Sequence, residues 1–247
     1  FVRHTKGLTL TADGLRVLEI IRPLLAQQDE TYMALSQLAQ AEAPSLRIGL
    51  TTAFEQGVFA SLEAVLAAQV EALHVVRHGS PELVRQVRRG KLDAALVALP
   101  LETSALSLTR LNRQEPLIAA LSAQWAEAEQ ERLTLSTLNG RPLFWFKRER
   151  NPAFFDFTRD IFRRVGYVPA CLEEPLEHDV LLARIARGEG LSLFPASFAA
   201  IQRQGVVFRA IDETALCVEC GLVMLPENAA RLAWLLEMAQ ADSRVTN

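Results

Sequence analysis

The same order of short apolar runs and helical patterns occurs twice along the chain, and no other feature restricts the fold as strongly. In the first pass, "LRIGL" (46–50), "TTAFEQGVFASLEAVLAAQ", "LHVVRH", "SPELVRQVRRG" and "LDAALVAL" read as strand, helix, strand, helix and strand. In the second, "PLFWF" (142–146), "NPAFFDFTRDIFRRVG", "ACLEE", "HDVLLARIARGEG" and "LSLFP" repeat that order. Leu46 and Pro142 stand 96 residues apart and Gly90 and Gly188 stand 98 apart, so the registers agree. Each β-α-β crossover needs a parallel sheet covered by helices. Two similar α/β lobes are therefore expected.

Helix signals support this division. Thr52 and Glu55 have the S/T-x-x-E spacing of a capping box, Pro81 and Pro152 fall at first helical positions, and Gly90 follows a helix end. Upstream lies something different. Thr11 is placed to cap a periodic run that continues to about residue 41, in which Leu18, Ile21, Leu25, Tyr32, Leu35 and Ala39 recur three and four apart. Gln28 is the one polar member of that series. Such a seam predicts a helix pairing with another helix, and roughly 30 residues would make a rod of about 45 Å. Pro23 inside it predicts a kink. "QAEAPS" (40–45) ends the rod and marks a domain boundary.

Composition excludes some functions. A formal net charge of -3 leaves no general basic field for nucleic acid, so such contact would be local, with Arg3, His4 and Lys6 as the N-terminal basic cluster. No apolar run nears the ~18 residues of a membrane span. Three cysteines, an odd number, fit a reducing compartment better than a disulfide framework. With no secretion signal at the N-terminus, these features predict a cytoplasmic location.

Ligands in open α/β sheets bind beyond the carboxyl ends of the strands, so two lobes define a shared cleft. Thr51, Thr52 and the amides near Ala53 and Phe54 belong to one side; Phe146, Lys147, Arg148 and the Asn151 cap belong to the other. Helix N-termini and Arg148 would favour an anion, with Arg148 able to clamp a carboxylate. Thr52 and Asn151 read equally well as caps alone, and "KRER" (147–150) as a solvated loop. Alternation sends Trp145 to the face opposite Phe144 and Phe146. "CVEC" (217–220) has redox or zinc spacing but sits in a strand-like run, where residues three apart diverge. His74 and His78 suit a half-buried strand, and Glu174 and Glu177 a helix start. No phosphate loop, nucleophile elbow or triad appears, so nothing points to an enzyme, a metal or a cofactor.

The order of these elements resembles the LysR-type transcriptional regulators. "FVRHTKGLTLTADG" (1–14) is similar to the end of that family's winged helix-turn-helix at Phe1, Arg3, Gly7, Leu10, Thr11 and Gly14, and the long helix follows. "LRIGL", "GKLDAALV" (90–97) and "GEGLSLFPAS" (188–197) look like three motifs of its sensor domain. The resemblance implies a DNA-binding regulator with two Rossmann-like lobes of the type 2 periplasmic-binding-protein kind, preceded by a wing remnant (1–11) and a dimerising linker helix (12–43). Lobe I would comprise 46–117 and 225–247, lobe II 118–224. The recognition helix would then belong upstream of Phe1. By the same resemblance the seam Leu18, Ile21, Leu25, Tyr32 and Leu35 joins subunits into a homodimer or homotetramer. Thr51, Thr52, Leu99, Phe146, Arg148, Phe194 and Pro195 would line the cleft for a small organic acid effector. Lys147 and the bulky Trp145 depart from the family pattern and imply a smaller pocket or an unusual ligand. A bilobal solute-binding protein, taking a small organic anion without DNA, is the alternative; the N-terminal rod disfavours it.

Overall fold

The computed structural model describes residues 2–4, 7–39 and 45–245. β1 (Val2–His4) and β2 (Gly7–Thr9) form a small antiparallel hairpin. Lys6 lies outside the described residues, as do the side chains of Arg3 and His4. α1 (Ala12–Ala39) begins where expected: the Gly14 amide donates to Thr11 Oγ1 at 3.0 Å, satisfying one free N–H of the first turn. Pro23 lies within α1, which stays one helix. Leu18, Ile21 and Leu25 are exposed, flanked by exposed Val17, Ile20 and Leu24, so the bare apolar surface is broader than a two-residue seam. The side chains of Tyr32 and Leu35 lie outside the described residues.

The first half follows the expected order. β3 (Ser45–Thr51), α2 (Ala60–Gln69), β4 (Ala72–His78), α3 (Ser80–Arg88) and β5 (Ala94–Leu99) form a parallel sheet ordered β4-β3-β5. The capping box does not form. Residues 52–55 turn before a short 3₁₀ helix (Gln56–Phe59), Glu55 rather than Thr52 caps it by accepting from the Gly57 amide, and α2 starts only at Ala60. Gly49 on β3 is required by close packing: a Cβ there would meet Leu83 of α3 at 2.6 Å.

A long strand, β6 (Ser107–Ser122), then leaves the first half and enters the second. β7 (Arg132–Leu133), β8 (Leu143–Trp145), α4 (Pro152–Arg164), β9 (Cys171–Glu173), α5 (His178–Ala186), β10 (Ser192–Pro195) and β11 (Val206–Ile211) follow. β12 (Cys217–Met224) and α6 (Ala233–Val245) complete the chain. β6 belongs to both halves. Residues 107–116 pair with β12, whereas 117–122 pair with β10 and β11, so hydrogen bonding is continuous in one curled sheet although the helices divide into two groups.

Residues 219–224 of β12, within the range expected for lobe II, pair with β5 of the first half, and the chain crosses between the halves a second time near Leu216. There the Leu117 amide donates to the Leu216 carbonyl at 2.8 Å. Period-2 alternation marks a strand without naming the sheet it joins, so the sequence pattern does not say which half β12 pairs with. One apolar core runs through both halves, from Leu46, Ile48 and Leu50 to Leu143, Leu191 and Leu193. Smaller clusters lie under α3 (Leu83, Val84, Val87) and under α5 (Leu181, Leu182, Ile185).

Candidate functional site

The carboxyl ends of the parallel strands in both halves open into one cavity of about 570 Å³. The first half contributes Thr52 and Ala53 after β3, Gly79 to Glu82 and Arg85 at the start of α3, and Ala98 on β5. The second contributes Trp145 and Phe146 at the end of β8, Glu149 to Asn151 before α4, Phe154, Glu174 after β9, His178 at the start of α5, and Phe194, Pro195 and Phe198. Leu117 and Val218, on the two crossing strands, close the floor.

The first wall is held by hydroxyls. Buried Ser80 lies 2.6 Å from Thr51 Oγ1 and accepts from the Ala98 amide at 2.9 Å, while Thr51 Oγ1 accepts from the Ala53 amide at 3.2 Å. The Thr52 amide donates to the His78 carbonyl at 3.0 Å. The Ala53 amide, expected to be free for an anion, is thus committed to Thr51. Arg85 Nε donates to Glu82 at 2.9 Å; the Gln86 bond, followed by Arg85, holds the Glu82 carboxyl below its usual range.

The second wall is aromatic. Phe146 stacks on Phe154 at 5.9 Å and 16°, Trp145 lies 5.0 Å from Phe146, and His178 meets Phe194 and Phe198 edge-on at 5.7 and 5.0 Å. Burial pushes the Glu174 carboxyl up to about 7, partly offset by Arg150, whose Nη1 is 3.8 Å from Oε2. Burial lowers the His178 pKa, which favours its neutral form. Asn151 Oδ1 accepts from the Phe154 amide at 3.2 Å, so Asn151 is a cap as well as a lining residue.

Of the residues expected from sequence, Thr52, Phe146, Phe194 and Pro195 line this cavity. Thr51 sits one layer behind, and Leu99 is buried in the cluster beneath α3. Arg148 is absent from the lining: its guanidinium grips Asp156 of α4 in a bidentate pair at 2.8 and 2.6 Å. A carboxylate four residues into α4 outcompetes the cleft for that side chain. The arginines of the cavity are Arg85 and Arg150, neither singled out by sequence. The start of α3 was also missed, although it follows β4 as α4 follows β8. Past the end of β8 alternation ceases, so Trp145 and Phe146 both reach the cavity while Phe144 is buried under α5. "CVEC" is strand: Cys220 is buried, and burial raises its thiol to about 12. No group of three metal-ligating side chains occurs among the described residues, nor is any described helix long and apolar enough to cross a membrane.

Two hydrogen bonds bridge the halves beside the cavity. The Glu55 amide donates to Ser197 Oγ at 3.2 Å, and the Ser197 amide donates to Glu115 Oε2 on β6 at 2.8 Å.

Residues 39–244 match the LysR substrate binding domain. A relative is the uncharacterised HTH-type transcriptional regulator YnfL of Escherichia coli K12, 25% identical over 232 residues, covering 90% of this chain and 75% of YnfL. Full-length CbnR complexed with its target DNA superposes with TM-score 0.66 at 21% identity, covering 96% of this chain and 84% of CbnR. The effector binding domain of QuiR in complex with shikimate superposes with TM-score 0.65 at 14% identity, covering 80% and 97%.

Proposed function

This chain belongs to the LysR family, whose matching relatives are HTH-type transcriptional regulators rather than enzymes, and from that premise we propose that it senses a small organic acid in the cleft between its halves. The observation carrying this reading is the cavity itself, open where both sets of parallel strands end and lined by charged side chains of both signs, with Arg85 and Arg150 able to meet a carboxylate. QuiR, of the same fold, is solved with shikimate, a small carboxylic acid. The effector acts by population shift: bound to both walls, it favours one arrangement of the halves over others by its difference in affinity between them.

The output is DNA binding in a homodimer or homotetramer in the cytoplasm. β1 and β2 serve as a wing beside the recognition elements, and the basic cluster Arg3, His4 and Lys6 contributes to DNA binding by its charge; CbnR, of similar fold, is solved on DNA. Exposed Leu18, Ile21 and Leu25 on α1 support pairing with a second copy, because a helix this apolar stays in water at an energetic cost. Titration of carboxylic acids by calorimetry tests the cleft: saturable binding lost in Arg150→Gln is expected. Sedimentation of Leu18→Asp/Ile21→Asp, expected to shift the chain toward monomer, tests the rod.

A further inference from the structure

The charges of the cleft do not suit a plain anion. Glu82, Glu149 and Glu174 line it against Arg85 and Arg150, three acids to two bases. Both arginines already face an acid, Arg85 on Glu82 and Arg150 on Glu174. A lone carboxylate would have to draw an arginine from its partner while meeting surplus negative charge. Among the described residues no hydrogen bond reaches the Glu174 carboxylate, whose side chain is 21% exposed and whose one charge partner stands at 3.8 Å. The same cavity holds the stacked Phe146 and Phe154 and the His178, Phe194 and Phe198 rings. A carboxylate short of donors within an aromatic surround is an environment that favours a cation, because ring faces and the carboxylate attract it together.

We propose that the effector is a zwitterion, an α-amino acid with an apolar side chain, whose ammonium is held by Glu174 and whose carboxylate is held by Arg150. The two opposite charges of an α-amino acid are close neighbours. Laid antiparallel to the Arg150–Glu174 pair, they answer both protein charges without separating them. The apolar side chain then occupies the space between Leu117, Val218 and the aromatic wall. This inference rests on the cleft reading above and narrows its ligand. It has a thermodynamic signature: Glu174 is raised to about 7 by burial, so an ammonium that stabilises its charged form makes binding near neutral pH release a proton.

The test is calorimetry on the full chain with matched series: phenylalanine, leucine and methionine; their deaminated counterparts 3-phenylpropionate, 4-methylpentanoate and 4-(methylthio)butanoate; and phenethylamine. At least one amino acid is expected to bind about tenfold or more tightly than its deaminated acid, and Glu174→Gln to erase that preference. Gln matches the shape of the protonated carboxyl, so folding should survive. Titrations in two buffers of different ionisation enthalpy should show proton release in the native chain and none in Glu174→Gln. Equal affinity for amino acid and deaminated acid, an undiminished preference in Glu174→Gln, or no binding by any amino acid overturns the zwitterion. A deaminated acid binding in the cleft would leave the organic-acid reading standing; binding that survives a cleft-filling Ala53→Trp would defeat that reading too.

Discussion

The two walls of the cleft share an architecture, each formed by helix starts after parallel strands, yet their side chains differ in kind. On the first wall, Thr51 and Ser80 hydrogen-bond to each other and to backbone amides, and the nearby apolar mass lies behind, under α3. On the second wall, the lining residues are themselves core: Phe194 and Phe198 line the cavity and also pack with Leu181, Leu182 and Ile185 beneath α5. Ligand contact and stability are thus separable on one side and fused on the other. Changes to the first wall should alter local hydrogen bonding, while changes to the second should reach the fold.

The largest effect expected from this contrast is on Phe194. Truncation by Phe194→Ala removes a ring that touches His178, Phe198 and Phe208 and should lower the unfolding free energy by about 3–5 kcal/mol in denaturant titration. Thr52→Ala, on the opposite wall, should change it by less than about 1 kcal/mol. Similar losses for the two would erase the distinction.

Next is the pH response of the second wall. Glu174 has its folded pKa raised from 4.5 to about 7, so the folded state holds a proton that the unfolded chain releases first. Its contribution is favourable below the unfolded value and declines as pH rises through 7, by on the order of 2 kcal/mol. Thermal unfolding between pH 5 and 8 should show this decline in the native chain and a flatter profile in Glu174→Gln. The first wall behaves oppositely: Glu82 is lowered, chiefly by its bond from Gln86, so its contribution is present above the unfolded value and fades only under acid conditions.

Ser80→Ala probes the first wall. It leaves the Ala98 amide without its acceptor and strips Thr51 of a partner inside a buried site, which should destabilise the chain by about 1–2 kcal/mol. Ser80→Cys, retaining a weak acceptor, should lose less. Both would be measured by the same denaturant titrations.

Periodicity and turn residues revealed α2 to α5 and the strands β3, β4, β5, β8, β9 and β10, because each is short and carries an apolar pattern of helix or strand period. They did not reveal β6, whose first portion "SLTRLNRQEP" mixes charges into alternation, since that stretch is buried on one face only. Nor did they assign β12. For the site, the rule that ligands gather at strand carboxyl ends located the cleft, and Thr52, Phe146, Phe194 and Pro195 lie in it. Choosing between Arg148 and Arg150 required knowing which one Asp156 would capture. Two residues apart in a tight 3₁₀ turn, they differ in direction by a geometry that spacing alone does not encode.

The smallest expected effect concerns the connection between the walls. Ser197 is the meeting point: its hydroxyl accepts from the Glu55 amide of the first half while its own amide donates to Glu115 on the shared strand. Residues on either side of this contact, Ala53 in one half and Pro195 and Phe198 in the other, line the cavity. Ser197→Ala removes the bond from Glu55 and leaves the one to Glu115, and at a partly exposed site this should lower stability by about 1 kcal/mol or less. The informative readout is hinge motion. With that bond gone, amide hydrogen exchange around residues 52–58 should quicken while exchange within β6 stays unchanged, because β6 keeps its own ladder to β12 and β11. Uniform acceleration in both segments would mean that the halves are held by their common core alone, and that the hydroxyl contributes nothing specific to their relative arrangement.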